Sequence, residues 1–542
     1  MTTSAADLIV VADRIHTLDP ENPAAQVIAM RDGRIVGVGD RADAHTWRGA
    51  ATEVIDLGGA TVTPGLVDGH IHPMLGLNLT QGVDLSTVTS LDELTLALRT
   101  ERATNPQGWL RGWGLNPNIF GSAELTSAPI VEAVGDIPAL IILFDAHSAI
   151  ATPAALHLAD ITGRRDFDSK AEIACSEDGT PTGYLVEIPA YDLVRAVIPQ
   201  PTLANLRTRL KSLLDAMAAT GLTAGNAMDF DGRSDELITS LAAETTLSLR
   251  LRFAPMCMPG STRDFYDHII DLQHLRGARW QVEGVKFMID GTIDGGTAWL
   301  EHPDSHGESA APFWPDPLEY PEAVRYLAAA GVPTVTHAIG DAGVKYVLDA
   351  LSSIPSARTN ATSVPHRIEH IETIPAALVG RFRELDVTAS MQPTHCTLYT
   401  RADHTDNWSE RLGTIRANRA FCTRDLRDAG ARVALGSDWP VAPFDARGVI
   451  ADAQLRRPHG HPDIDAVLPD QALTARMALE GYTTHAAAAA GLAEVSGRLT
   501  VGRRADLSAF VLDPLTAPPD EFAESPVPLT VVDGAVAHRA DH

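Results

Sequence analysis

Two histidines, His70 and His72, stand two apart in TPGLVDGHIHP, at the end of an apolar run. In a strand the pleat sends both side chains to one face, roughly 7 Å apart along the backbone, a gap that one metal ion bridges. In a chain of 20 histidines such a pair alone is a weak signal. Its setting adds to it, because Gly65 and Gly69 permit tight turns and close approach of backbone. His337 in VTHAIGD and His370 in RIEHIE each close a different apolar run, and Asp438 follows ARVALGS. Taken singly, each of these two histidines also reads as a hydrogen-bonded cap or interior group, and Asp438 as a helix N-cap or turn former. Taken together they supply four imidazoles, favoured ligands for zinc, iron and nickel. The carboxylate of Asp438 can join them as a ligand and as general base for a bound water.

Such residues must be carried to one rim. Eight buried apolar runs are legible: 65–72, 221–229, 249–256, 282–290, 332–341, 364–372, 387–393 and 433–440. Ala- and Leu-rich helical stretches such as PTLANLRTRLKSLLDAMAAT lie between several of them, the alternation of a parallel α/β domain. The fold expected is therefore a (β/α)8 TIM barrel over residues 64–496, whose strand ends converge on one mouth. The interval between the first two strands is far too long for a βα connection and holds its own strands, WLRGWG and PALIILFDAH. Residues 73–220 thus read as an insertion after strand one that roofs the pocket as a lid and helps to set specificity. Residues 1–63 and 497–542 share short apolar runs punctuated by Asp-Gly and Gly-Gly turns. One small β-sandwich built from both termini accounts for them better than two separate sheets with edges to protect.

The 542 residues carry 43 Lys plus Arg against 70 Asp plus Glu, a formal charge of −27. That balance argues against nucleic acid or an anionic membrane as partner. Cys175, Cys257, Cys396 and Cys422 are far apart and form no CxxC pair, so neither a disulfide framework nor a thiolate zinc site is expected. No basic region precedes the short apolar stretch at the N-terminus, and no apolar run approaches 18 residues. A cytoplasmic protein acting on a small molecule is expected, with a homodimer as an allowed assembly.

The pieces PGLVDGHIH, GWLRGWGLN, DGTPTGYLVE, GVKFMIDGT, THAIGD, HRIEHIE, ASMQPTH, LGSDWPV and GRLTVGRRADLSAF occur in that order. In them the chain resembles the amidohydrolase superfamily, in its amidohydrolase-3 branch of YtcJ-like proteins and N-substituted formamide deformylases, over nearly its whole length. The resemblance implies that His70 and His72 bind the more buried metal, His337 and His370 the more exposed one, and that Asp438 contacts metal and water. It also implies a role for Lys286 on the fourth barrel strand, where many superfamily members bridge two metals with a carbamylated lysine. A bare ammonium beside Zn²⁺ is repelled, whereas a CO2-derived carbamate brings an anionic oxygen. The alternative is that Lys286 reaches a carboxylate such as Asp290. His395 in SMQPTH falls outside the usual ligand positions and is placed as a substrate or oxyanion contact. Asp145, His147 and Trp113, in the inserted segment, are candidate pocket residues, with packing and turn capping as the alternative, and Asp290 is a further candidate for substrate contact. The branch's DGSLGSRTA stretch is DGTIDGGTA here, losing its Arg and gaining Asp294.

The chemistry so implied is cleavage of an amide C–N bond by water activated at one or two Zn²⁺ ions, Fe, Mn or Ni being compatible. Asp438 is the general base and then acid, and an N-substituted formamide is the leading substrate class by analogy. A cyclic amide, carbamate or ester fits the same chemistry, and a lyase or isomerase on the same barrel is the competing class.

Overall fold

Eight parallel strands form the centre of the computed structural model, which describes residues 5–121, 123–167, 170–354 and 364–540. They are β1 (Leu66–Ile71), β2 (Leu222–Ala227), β3 (Arg250–Phe253), β4 (Val285–Met288), β5 (Thr334–Ala338), β6 (Arg367–His370), β7 (Thr388–Met391) and β8 (Arg432–Leu435). β1, β2 and β3 pair in sequence, as do β4 to β8, all in parallel. Most of these strands are buried at every residue, which is why they read as continuous apolar runs rather than as an alternation.

Two seams close the ring. Pro255 interrupts the third run, since it has no N–H for a ladder, and the strand resumes at Met256–Cys257 to pair with β4. The fourth run is broken at Gly284 (φ +112°), so that Trp280–Val282 pairs with β3 before β4 begins. Runs expected as single strands at 249–256 and 282–290 are therefore each two short pieces, bridged by Lys286 N–H to Pro255 O at 2.8 Å. At the other seam Asp438 N–H donates to His70 O (2.7 Å) and His72 N–H to Trp439 O (2.8 Å). Glycine is required there. A Cβ on Gly69 would lie 2.5 Å from Leu435 O, and one on Gly436 would lie 2.5 Å from His70 N.

Outer helices follow from amphipathic spacing. The helix Leu203–Ala219 starts where Thr202 Oγ1 accepts Asn205 N–H (3.2 Å) and buries Leu206, Leu210, Leu214 and Met217 against the barrel. Between β1 and β2 the inserted segment builds a six-stranded sheet, from Val83–Asp84 to Pro181–Val186, with hydrophobic clusters of its own. The strands of both chain ends, from Leu8–His16 to Ala535–Arg539, are hydrogen-bonded into one eight-stranded sheet. In it Leu507–Phe510 lies antiparallel to Thr61–Pro64, so the C-terminal strands lead directly to the residue before β1. No helix among the described residues is long and apolar enough to cross a membrane.

Candidate metal centre

β1 delivers His70 and His72, and the turn after β8 delivers Asp438. Asp68 ties these two elements together, since its Oδ1 accepts the N–H of both His70 and Ser437 at 3.0 Å. Three electron-rich atoms then meet: His70 Nε2 lies 3.2 Å from His72 Nε2, and Asp438 Oδ1 lies 3.2 and 3.1 Å from those two nitrogens. Asp438 Oδ1 is buried without a hydrogen-bond donor among the described residues. Lone pairs so crowded repel one another unless a cation lies between them, so this donor set fits a divalent metal ion.

β6 ends with two consecutive left-handed residues, His370 (φ +75°) and Ile371 (φ +51°), and Asp438 is left-handed as well (φ +60°). Such conformations are strained for residues with a Cβ, and strain of this kind collects at functional sites. The turn after β6 puts His370 Nδ1 3.8 Å from Asp438 Oδ2, while His395 Nε2 reaches the same oxygen at 3.7 Å. Among the described residues neither of these buried ring nitrogens has a hydrogen-bond partner. His370, His395 and Asp438 are thus a second three-donor set, sharing Asp438 with the first. The resemblance paired His370 with His337. The His337 ring centroid lies 4.4 Å from that of His370, and its Nε2 lies 3.2 Å from Gly291 O.

Behind the ligands is a ring of buried support. Glu369 Oε2 lies 2.5 Å from His70 Nδ1, which leaves Nε2 free to face the cluster. Glu369 is held in turn by Arg367, at 2.9 Å to Oε1 and 3.1 Å to Oε2, and Arg367 also donates to Gly69 O and Ser390 Oγ. Lys286 is 2% exposed and puts Nζ 3.5 Å from His70 Nε2. Burial pushes its pKa down to about 8, although Glu369 and Asp438 act the other way. Burial would raise the Asp438 carboxyl, but the facing His70, His72 and His395 rings hold it well below the usual carboxylate range. It is ionised at neutral pH.

A cavity of about 100 Å³ opens over this cluster. Its lining includes His72, Lys286, His337, His370, His395 and Asp438 from the barrel, and Phe144, Asp145, His147 and Ile188 from the inserted segment. His147 pairs with Glu187 at 2.8 Å; burial disfavours the charged ring, but Glu187 and Asp145 outweigh it and push the pKa up to about 9. Two of the candidate pocket residues lie elsewhere. Trp113 packs on the inserted segment's own hydrophobic cluster. Asp290 sits behind the wall, its carboxylate consumed by the N–H groups of Trp299, Ile339 and Gly340 at 2.8–3.0 Å. It pins the loops after β4 and β5, and Lys286 reaches His70 rather than Asp290. Sequence reasoning missed Glu369, Glu372 and Arg367, although all three lie in the HRIEHIE stretch that carries His370. Alternation along β6 puts Arg367 and Glu369 on one face, which was a readable signal, whereas the turn that brings Glu372 to the cavity was not.

A family model described as the amidohydrolase family matches residues 53–538. The chain is 30% identical to the protein LONG AFTER FAR-RED 3 of Arabidopsis thaliana, over 92% of this chain and 86% of that one. It is 26% identical to YtcJ of Bacillus subtilis (strain 168), over 97% and 98% of the two chains, and 26% identical to the N-substituted formamide deformylase of Arthrobacter pascens, over 99% of each. Among solved structures, an uncharacterized metal-dependent hydrolase from Pyrococcus horikoshii OT3 superposes with a TM-score of 0.72 at 23% identity, covering 94% of this chain and 99% of that one. The atrazine chlorohydrolase TrzN from Arthrobacter aurescens TC1, complexed with zinc, gives 0.53 at 16% identity, covering 98% and 94%. The chain belongs to the amidohydrolase family, and it is a hydrolase.

Proposed function

We propose that the protein cleaves the C–N bond of a small amide, with an N-substituted formamide as the leading substrate class. The observation that carries this reading is the convergence of His70, His72 and Asp438 under a cavity roofed by the inserted segment. Similarity along 99% of the chain to a relative named for formamide deformylation supports the substrate class, and zinc in a fold neighbour supports Zn²⁺ as the ion. His70, His72 and Asp438 would hold one ion, with His370 and His337 toward a second. When bound, such an ion lowers the pKa of a water toward roughly 7 and polarises a carbonyl.

The chain's own residues do the rest. The Asp438 carboxylate takes a proton from the attacking water as oxygen adds to the carbonyl carbon, and then returns it to the amine nitrogen as the C–N bond breaks. Formate and a free amine leave. His395, 3.7 Å from Asp438 and open to the cavity, donates to the oxygen that gains charge in the tetrahedral state. A second reading of His395, as a ligand with His370 and Asp438, is favoured by the convergence of those three side chains; metal stoichiometry of His395→Asn distinguishes the two. Lys286 would take up CO2 and bring an anionic oxygen to the ligands, a reading supported by its lowered pKa and its approach to His70 at 3.5 Å. Four free cysteines agree with a cytoplasmic location.

The test is zinc-loaded protein with N-benzylformamide and N-butylformamide in H₂¹⁸O, scored by formate release. Labelled formate supports the reading. Formate without label denies hydrolysis, and turnover confined to esters or cyclic amides moves the substrate class.

A further inference from the structure

Away from the metal ligands, the cavity wall has a one-sided composition. Phe144, Tyr399, Trp408 and Phe421 give it aromatic faces, Phe144 lying against Tyr399 (3.8 Å between centroids) and Trp408 stacking on Phe421 (5.7 Å). Besides His147, its titratable groups there are the carboxyls of Asp145, Asp294 and Glu372; burial without a counter-charge pushes Asp294 up to about 7 and Glu372 up to about 8. Glu372 is more than nine-tenths buried; its Oε2 takes the Trp408 Nε1–H at 2.7 Å, and among the described residues no donor reaches Oε1, the nearest imidazole nitrogen, His395 Nδ1, lying 4.0 Å away. Asp294 shows the same asymmetry, with Oδ1 accepting from Asn407 Nδ2 at 3.0 Å and no donor to Oδ2 among the contacts of the described residues.

Among the described residues the basic groups nearby act mainly on other carboxyls, Lys170 on Asp290, Glu187, Glu308 and Asp304. Lys286 lies against His70 and His147 against Glu187. Arg411, whose charge also acts on Asp294, is held by Asp304 at 2.9 Å and Glu308 at 2.8 Å. In a small desolvated space the ionised form of such carboxyls is costly until a cation arrives to meet it. A group that does so between aromatic faces is a cation bearing N–H donors, because the negative face of each ring and the carboxylates attract it together.

We propose that Asp294 and Glu372 select a substrate carrying a primary ammonium group a few bonds from the scissile amide, an inference that rests on the amide-hydrolase reading of the same cavity. The ammonium lies between the two carboxylates against the Trp408 face, and the amide carbonyl is thereby directed to Asp438 and His395. Neutral and anionic analogues of the same size are poor substrates.

Two measurements on the zinc-loaded protein test this separately from the amide reading. The first compares kcat/KM for N-(3-aminopropyl)formamide with that for its neutral isostere N-butylformamide. Wild type should favour the cation at least tenfold, and Asp294→Asn and Glu372→Gln should each cut that ratio at least threefold. The second compares equilibrium binding of propylammonium and 1-propanol by ligand-observed NMR, which needs no turnover. Wild type should bind the ammonium at least tenfold more tightly, and both variants should narrow the gap. Equal affinity for the two probes, or a gap that neither substitution changes, overturns the proposal even if formamides are cleaved. An ammonium preference in binding with neither formamide cleaved leaves the cation subsite standing and removes the formamide substrate class instead.

Discussion

Replacing Glu369 by Gln separates the two tasks that the buried support performs. Glu369 is fully buried, with Arg367 on one side and His70 on the other, neither of them exposed. A Gln keeps the shape and can still accept from His70 Nδ1, but it removes the charge that orients the imidazole and balances the guanidinium. Removing one partner of a buried ion pair typically costs about 3–5 kcal/mol, since the other charge is left uncompensated. Losing the carboxylate behind a metal-bound histidine typically weakens metal binding by about 10–100-fold, or about 1.4–2.7 kcal/mol. The expected result is a melting temperature lower by several degrees and a zinc dissociation constant, measured by chelator competition, raised at least tenfold. The double variant Glu369→Gln/Arg367→Met tells the two effects apart. With the cation gone as well, the melting temperature should recover most of its loss while zinc affinity stays low. Zinc affinity within twofold of wild type in the single variant would refute the orienting role, and a double variant no more stable than the single would refute the buried-charge argument.

Three further outcomes follow from the same geometry. Asp438→Asn, assayed at zinc concentrations that restore full metal content by elemental analysis, should lower turnover by at least about 10²-fold, the scale of general acid–base catalysis; substantial remaining activity would take Asp438 out of the proton-transfer role. Metal-loaded protein equilibrated with ¹³C-bicarbonate should show a carbamate resonance that is absent from Lys286→Ala, and a wild-type spectrum without it would leave Lys286 a bare amine. The His147–Glu187 pair should show in the pH dependence of stability: a histidine whose pKa rises from about 6.5 unfolded to about 9 folded contributes fully below pH 6.5 and loses that contribution as pH rises through 9. The difference in melting temperature between wild type and His147→Asn should therefore shrink from pH 6 to pH 10, and a constant difference would deny the charged pair.

The barrel was legible because strands buried on both faces leave continuous apolar runs, and the histidines were legible because each closes such a run. The breaks at Pro255 and Gly284 are also written in residues with known backbone behaviour, but apolar character that continues across them hides the interruption. Glu369 and Arg367 were hidden for a different reason. Two charges two apart on a strand look like a solvated face until the strand is known to line the inside of a closed barrel. Glu372 could not be found by periodicity at all, because the left-handed turn at His370 and Ile371 reverses the alternation that would predict its direction. Asp290 and Trp113 misled in the opposite sense. Asp290 lies beside the site in sequence but spends its oxygens on backbone N–H groups, and the aromatic character of Trp113 serves the inserted segment's own packing. The return of the inserted segment over the barrel, which brings Asp145 and His147 to the cavity, is a tertiary fact that no local pattern carries.

The central claim, that His70, His72 and Asp438 hold a catalytic metal ion, is tested most directly by a crystal structure of zinc-loaded protein with data on both sides of the zinc absorption edge. An anomalous peak about 2.0–2.2 Å from His70 Nε2, His72 Nε2 and an Asp438 oxygen, the usual range for these ligand types, is the result expected. Full zinc content in solution with no anomalous density between these three side chains would contradict it.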